Sequence, residues 1–167
     1  MRSQPMPQLN LALFQKLKRI KRPHWLLVVL LIFTTQCFAQ SSIVEHRQNP
    51  GFESMNLPFT EAVRVDNLLF LSGQLGNETG SFELVPGGVV PETRQILENI
   101  KAALARNDAT LSQVVKCTLF LRNIDDWPAV NEVYIEYFKP PYPARSALAA
   151  GGLALGGSIE MECIAAL

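Results

Sequence analysis

Three of the four residues from 140 to 143 are proline (Pro140, Pro141 and Pro143), directly after Lys139. Each proline fixes φ and lacks a backbone N–H, so neither a helix interior nor a central strand runs through such a stretch. It therefore closes one element and forces a fresh start. Before it, Val130, Val133, Tyr134, Tyr137 and Phe138 recur at i, i+3, i+4, i+7 and i+8, the apolar stripe of a helix. Asp126 stands where an N-cap is expected, and Pro128 falls in the first turn, where a missing N–H costs little. After it, Arg145 leads directly into a short strand at 146–150, a glycine-rich turn region at 151–157 and a final strand at 158–166. Alternation along that last strand puts Ile159, Met161 and Cys163 on one face, with Glu160 and Glu162 on the other.

Upstream, Ile96, Leu97, Ile100, Ala103 and Leu104 predict a helix over 91–107, with Pro91 near its start and Asn107-Asp108 at its end. Residues 114–121 (VVKCTLFL) are short, apolar and β-branched, which predicts a buried strand. Residues 62–71 read as two strands about an Asp66-Asn67 turn, preceded by an irregular arm or edge strand at 41–58. Ser72-Gly73-Gln74 and the Gly/Pro-rich 76–91 make a long loop. The order strand, strand, helix, strand, helix, strand, strand predicts an α+β layer, two helices packed on one face of a sheet.

The formal charge of zero hides two segments of opposite sign. Residues 1–39 hold six basic side chains and no acid, leaving nine basic against fifteen acidic afterwards, a net of −6. An unbroken apolar run of nine (WLLVVLLIF, 25–33) follows the basic stretch, and Cys37-Phe38-Ala39 forms a small-residue exit. This pattern describes a secretory signal peptide at 1–39, cleaved after Ala39, and a mature domain at 40–167 placed in the periplasm or secreted. The run is too short to span a bilayer, which needs about 20 apolar residues. The long basic lead keeps an N-terminal membrane anchor as the alternative. The 48% hydrophobic content is partly that of this leader and overstates the core.

Most catalytic templates are missing from the mature part. It has one histidine, His46, in the polar arm, so no Ser-His or Cys-His pair is set up. Cys117 and Cys163 lie in strand patterns without metal-ligand spacing and read as buried thiols, with a disulfide open to them if their strands are neighbours. The glycine-rich segments match no nucleotide-binding fingerprint. Two residues remain. Arg145, held beside a proline-stiffened turn, presents a fork of donors suited to a planar carboxylate, although a lone arginine is more often half of a structural ion pair. Glu160 is a strand carboxylate able to act as acid or base, or simply a solvated one.

Around these residues the chain resembles a known family. Pro143-Ala144-Arg145-Ser146 followed by Ser158-Ile159-Glu160-Met161-Glu162 is similar to the C-terminal signature of the RidA (YjgF/YER057c/UK114) family of reactive-intermediate, or imine, deaminases. Leu57-Pro58-Phe59-Thr60-Glu61-Ala62-Val63 resembles its entry segment, Ser72-Gly73-Gln74 its Ser-Gly-Gln turn, and Lys116-Cys117-Thr118-Leu119-Phe120-Leu121 with Trp127, Asn131 and Tyr134 its strand-then-helix block. The ordered motifs together cover essentially 40–167.

The resemblance implies a chorismate-mutase-like fold, a homotrimer with pockets between subunits, and hydrolysis of 2-aminoacrylate-type enamines and 2-imino acids to 2-oxo acids and ammonia, with no metal or organic cofactor. It makes Arg145 the carboxylate clamp and Glu160 the residue that positions water. Phe59, Ser72 and Asn131 become substrate-binding residues beside Arg145. Three positions depart from the pattern: Phe59 for tyrosine, which removes a hydroxyl; Glu61 for glutamine, which adds a charge near the entry segment; and Ala147 for the cysteine of some members. The alternative from another class is a trimeric binding or stress-protective protein without significant turnover. Nucleic acid is not an expected partner of an acidic domain, and the membrane enters only through an uncleaved leader.

Overall fold

The computed structural model describes residues 41–167. The leader at 1–39, its apolar run and its cleavage point lie outside the described residues.

Strand β1 (Val44–Arg47) pairs antiparallel with β2 (Ala62–Val65), which turns back through Asp66-Asn67 into β3 (Leu68–Leu71). The pair of strands expected over 62–71 is thus present, and the turn works because aspartate tolerates the left-handed backbone that Asp66 adopts at φ 51°. The Asp66 carboxylate also accepts a hydrogen bond from the Ile43 N–H at 2.9 Å, pinning the arm that sequence left as irregular or edge. Two residues, Gln74–Leu75, form a further strand, β4, where only a turn is expected from sequence. Its brevity hides it: two residues carry no period.

Helix α1 (Val89–Arg106) follows, then β5 (Val114–Leu121), helix α2 (Trp127–Tyr137), β6 (Ala144–Ala149) and β7 (Ile159–Ala166). The strands form one sheet in the order β1-β2-β3-β7-β5-β6, with β4 also on β7. Pairing is antiparallel except between β5 and β6, whose parallel run requires the crossover that α2 supplies. Both helices cover one face, as expected. β6 begins two residues earlier than its pattern, so Arg145 lies inside the strand rather than ahead of it. Asp126 makes no side-chain capping bond; Asn123 instead accepts from the Asp125 N–H at 3.1 Å and caps the short turn that leads into α2.

The core lies between this face and the helices. Ile96, Leu97, Ile100, Ala103 and Leu104 of α1 are fully buried against Cys117, Leu119 and Leu121 of β5 and Ile159 and Met161 of β7. Each large aliphatic side chain buried this way contributes about 1.5–3 kcal/mol. Gly76 lets the chain pass under α1: a Cβ there would lie 2.7 Å from both Cα and Cβ of Glu92. Glu92 is itself buried and accepts from the Ser158 N–H (2.7 Å) and hydroxyl (2.8 Å), fixing the first turn of α1 to the residue just before β7.

Cys117 and Cys163 are register partners on β5 and β7, with Cα atoms 4.1 Å apart, and they form a disulfide. The reading as two buried thiols gives way because adjacency in the sheet, invisible in sequence, brings the two together. The bridge closes a loop of 46 residues, which in the chain-entropy picture stabilises by about 2–4 kcal/mol. Unfolding in urea with reductant should therefore show a midpoint lower by that equivalent than without it, and a C117A/C163A variant should be indifferent to reductant. Coincident wild-type curves would refute the cross-link.

Candidate functional site

Arg145 enters β6 from the proline-rich turn and projects toward α2. Its guanidinium carbon lies 4.8 Å from the ring centroid of Tyr134 and 5.7 Å from that of Trp127, so two aromatic faces hold the cation. Trp127 and Tyr134 are seven residues apart, two helical turns, which sets both rings on the same side of α2. The indole N–H of Trp127 donates to Asn131 Oδ1 at 3.0 Å, adding Asn131 to the group. Among the described residues Arg145 belongs to no ion pair. Among those residues no carboxylate makes with it the structural ion pair that a lone arginine usually implies. Tyr134 packs against Phe138 with ring centroids 4.5 Å apart, and its hydroxyl is buried without a partner. Burial raises that hydroxyl's pKa, opposed by the charge of Arg145.

Glu160 lies elsewhere. It points away from the core on β7, and its carboxylate rests against Gly73: a Cβ built on Gly73 would fall 2.0 Å from Glu160 Oε1. Only glycine leaves that space. Leu75 of β4 is its register partner, so the short strand that sequence missed frames the carboxylate. Burial, and then the like charge of Glu162 on the same face, raise the Glu160 carboxyl above the usual carboxylate value. Ser72, beside Gly73, donates its hydroxyl to the Thr60 carbonyl at 2.6 Å. Ser72, Gly73 and the half-exposed Phe59 line a cavity of about 260 Å³ beneath the N-terminal arm.

The predicted residues therefore fall into two groups: Arg145 with Asn131, and Glu160 with Ser72 and Phe59. Cys163, Cys117 and Arg145 form one row across β7, β5 and β6 and face the helices, whereas Glu160 sits three residues along β7 on the opposite face. From strand spacing and rise, the two backbones are roughly 14 Å apart. A single chain cannot put both side chains on one small molecule. Glu61, read from sequence as an added charge, is buried and neutralised by Arg106, whose Nε and Nη2 donate to its two oxygens at 2.9 and 2.5 Å. Sequence reasoning did not assign Trp127 and Tyr134 to the arginine, although their helical spacing carried the signal. Among the described residues no group of three or more His, Cys, Asp or Glu side chains is gathered as a metal site.

A mixed sheet backed by two helices, with an aromatic-held arginine and a strand carboxylate on opposite faces, defines an α+β protein with a divided candidate site. Comparison with known proteins makes this specific. Residues 53–167 match the family model described as Endoribonuclease L-PSP, and the chain belongs to this RidA/YjgF family. It is 45% identical over 108 residues to the 2-iminobutanoate/2-iminopropanoate deaminase of Capra hircus, covering 65% of this chain and 79% of that protein. Among solved structures it is similar to RidA from the Antarctic bacterium Psychrobacter sp. PAMC 21119 (TM-score 0.64, 35% identity, 67% of this chain and 90% of that one). It is also similar to YyfA of the Rid family from Yersinia pestis (TM-score 0.69, 32% identity, 75% and 100% covered).

The geometry around Glu160 has a measurable consequence. Glu162→Gln removes one of the two influences that raise the Glu160 pKa, so Glu160 should titrate at lower pH in the variant, yet still above an exposed glutamate because burial remains. Carboxyl-carbon NMR titration reads this directly. An unmoved Glu160 resonance would show that the two carboxylates do not sense each other.

Proposed function

We propose that this protein hydrolyses 2-imino acids to 2-oxo acids and ammonia, acting as a trimer whose sites take Arg145 from one copy and Glu160 from the next. The observation that carries the reading is the uncommitted guanidinium of Arg145, held on two aromatic faces with no carboxylate of its own. A planar carboxylate accepts two parallel bonds from such a fork. The names of the deaminase relatives support the substrate class.

The chemistry asks for little else. The imine carbon is electrophilic, and a water held by ionised Glu160 adds to C2 while the carboxylate takes a proton from it. Glu160 returns that proton to the nitrogen to give the carbinolamine, whose hydroxyl proton then passes through the same carboxylate to the amino group, so that ammonia leaves as the C–N bond breaks and the C2 carbonyl forms. A carboxylate beside the reacting carbon can take the proton from water and return it to the nitrogen, which serves both halves of this transfer. Anchoring the acid end and steering the water convert much of the barrier into prior binding.

The trimer reading is supported by the sheet face opposite the helices, which carries Phe70 and Leu148, each more than a third exposed, together with Glu160 and Glu162. A neighbour that presented its edge strand β6, with Arg145, to this face would bring the guanidinium to Glu160. The net charge of −6 after residue 39 gives no support to a phosphate-backbone ligand. Export is proposed as well, supported by the basic, acid-free residues 1–39 with their apolar run and by the disulfide, which suits an oxidising compartment. Mass spectrometry of the native protein starting at Gln40 would bear this out; an intact leader would favour the anchored form. Binding without turnover is the second reading, motivated by Phe59, whose ring brings no hydroxyl to the cavity.

With 2-iminopropanoate generated in situ from alanine, Arg145→Ala should lower kcat/KM about 100-fold, the loss of a bidentate charged contact. Equal rates for variant and wild type would overturn the deaminase reading, and background hydrolysis with intact oxo-acid binding would favour the second. Mixing R145A and E160Q subunits through unfolding and refolding should restore about a quarter of wild-type activity, because a closed ring then contains complete sites made from two damaged copies. No recovery would place both residues in one chain's site.

A further inference from the structure

The cavity next to Gly73 is larger than the smallest imino acid needs. Its volume of about 260 Å³ is well beyond what the single methyl group of an alanine-derived imine would fill. The polar side chains on its wall already have protein partners. Gln48 accepts from the Glu61 N–H (3.3 Å), and Asn49 donates to the Glu61 carboxylate (2.9 Å). Glu61 is paired with Arg106, Ser72 donates to the Thr60 carbonyl, Gln74 donates to the Ser72 carbonyl (3.2 Å) and Asn77 to the Ser81 carbonyl (2.8 Å). What remains for an occupant is apolar: Phe52 stacked on Phe82 at 5.5 Å between centroids, with Leu57, Phe59 and Leu155.

Leu155 adds a second observation. It is held at φ 57° in the left-handed region, unusual for a leucine, and its side chain is half exposed. Core burial does not compensate for that backbone; what the conformation achieves is an apolar side chain on the cavity wall.

We propose that this cavity is a specificity pocket for an extended apolar side chain, so that the preferred substrates are 2-imino acids of the leucine or methionine type rather than the alanine-derived one. The inference rests on the imine deaminase reading and names its substrate class. Gly73 is the link, because it lines the cavity and also carries the Glu160 carboxylate against its Cα, setting the apolar space beside the group that steers water. Each methylene received by a matched apolar pocket raises kcat/KM by about 10-fold or more.

The test generates imino acids from alanine, norvaline, leucine and methionine with a broad amino-acid oxidase and follows their decay by competition with semicarbazide. Wild type should prefer the leucine-derived imine to the alanine-derived one by at least about 10-fold. Leu155→Asn, which tolerates the left-handed backbone, and Phe82→Ser should each reduce that ratio about 5-fold or more by placing a polar group on the wall. Equal wild-type rates across the series, or a ratio unchanged in both variants, would overturn the pocket while Arg145-dependent turnover left the deaminase reading standing. If no imine is turned over, that reading fails, and calorimetry then decides the pocket: 4-methyl-2-oxopentanoate binding no more tightly than pyruvate would refute it.

Discussion

Strand β7 pairs with β3 and β4 along one edge and with β5 along the other, so the register of its eight residues is fixed from both sides. Side chains alternate with a period of two, and a slip of one residue would exchange the faces. The register that buries Ile159, Met161, Cys163 and Ala165 under the helices necessarily sends Glu160 and Glu162 to the opposite face. The same ladder continues from Cys163 through Cys117 to Arg145 and commits the arginine to the helix side. The division of the site into halves is thus a direct result of core packing. It could not be undone without turning a row of buried apolar residues into solvent.

Arg106 and Arg145 meet their surroundings differently, and the contrast separates a structurally paired arginine from one without a carboxylate among the described residues. Arg106 ends α1 and is bound through two nitrogens to the buried Glu61, which also receives Asn49. That pair closes the arm over the cavity, and removing either member would leave the other uncompensated. Arg145 is held by ring faces alone. Aromatic contacts restrain the guanidinium without using its N–H donors, so the group is oriented in advance and still lacks an anion. Identical side chains become structural or receptive according to whether a carboxylate or a π-face reaches them first.

The periodic elements were legible in the sequence. The α1 stripe at Ile96, Leu97, Ile100, Ala103 and Leu104, the β5 run and the alternation along β7 each state their face through burial. The hairpin at Asp66-Asn67 was legible from turn chemistry. What escaped depends on which segments become neighbours. β4 is too short to show a period, the disulfide needed the β5–β7 pairing, and the neutralisation of Glu61 needed Arg106 from 45 residues away. Of the site, Arg145 and Glu160 were singled out by chemistry and resemblance, but their separation was not, because it requires the strand order as well as the alternation. The aromatic cradle lay between these cases: its i, i+7 spacing was visible, its target was not.

A site divided across the two faces of one sheet also constrains how activity is maintained. Each half is rigidified independently, Arg145 by α2 and Glu160 by Gly73 and the Glu92–Ser158 tie that fixes the start of β7. On the proposed reading, neither half alone would both hold an acid end and steer a water onto the same carbon. In the proposed trimer, assembly would complete the site and would set Glu160 and Glu162, which repel each other on one chain, near a cation. Burial and Glu162 both disfavour ionised Glu160 within one chain; a neighbouring guanidinium acts in the opposite direction. The same contact that completes the site would thereby hold its base ionised, making the proton affinity of Glu160 a property of the assembly rather than of the fold.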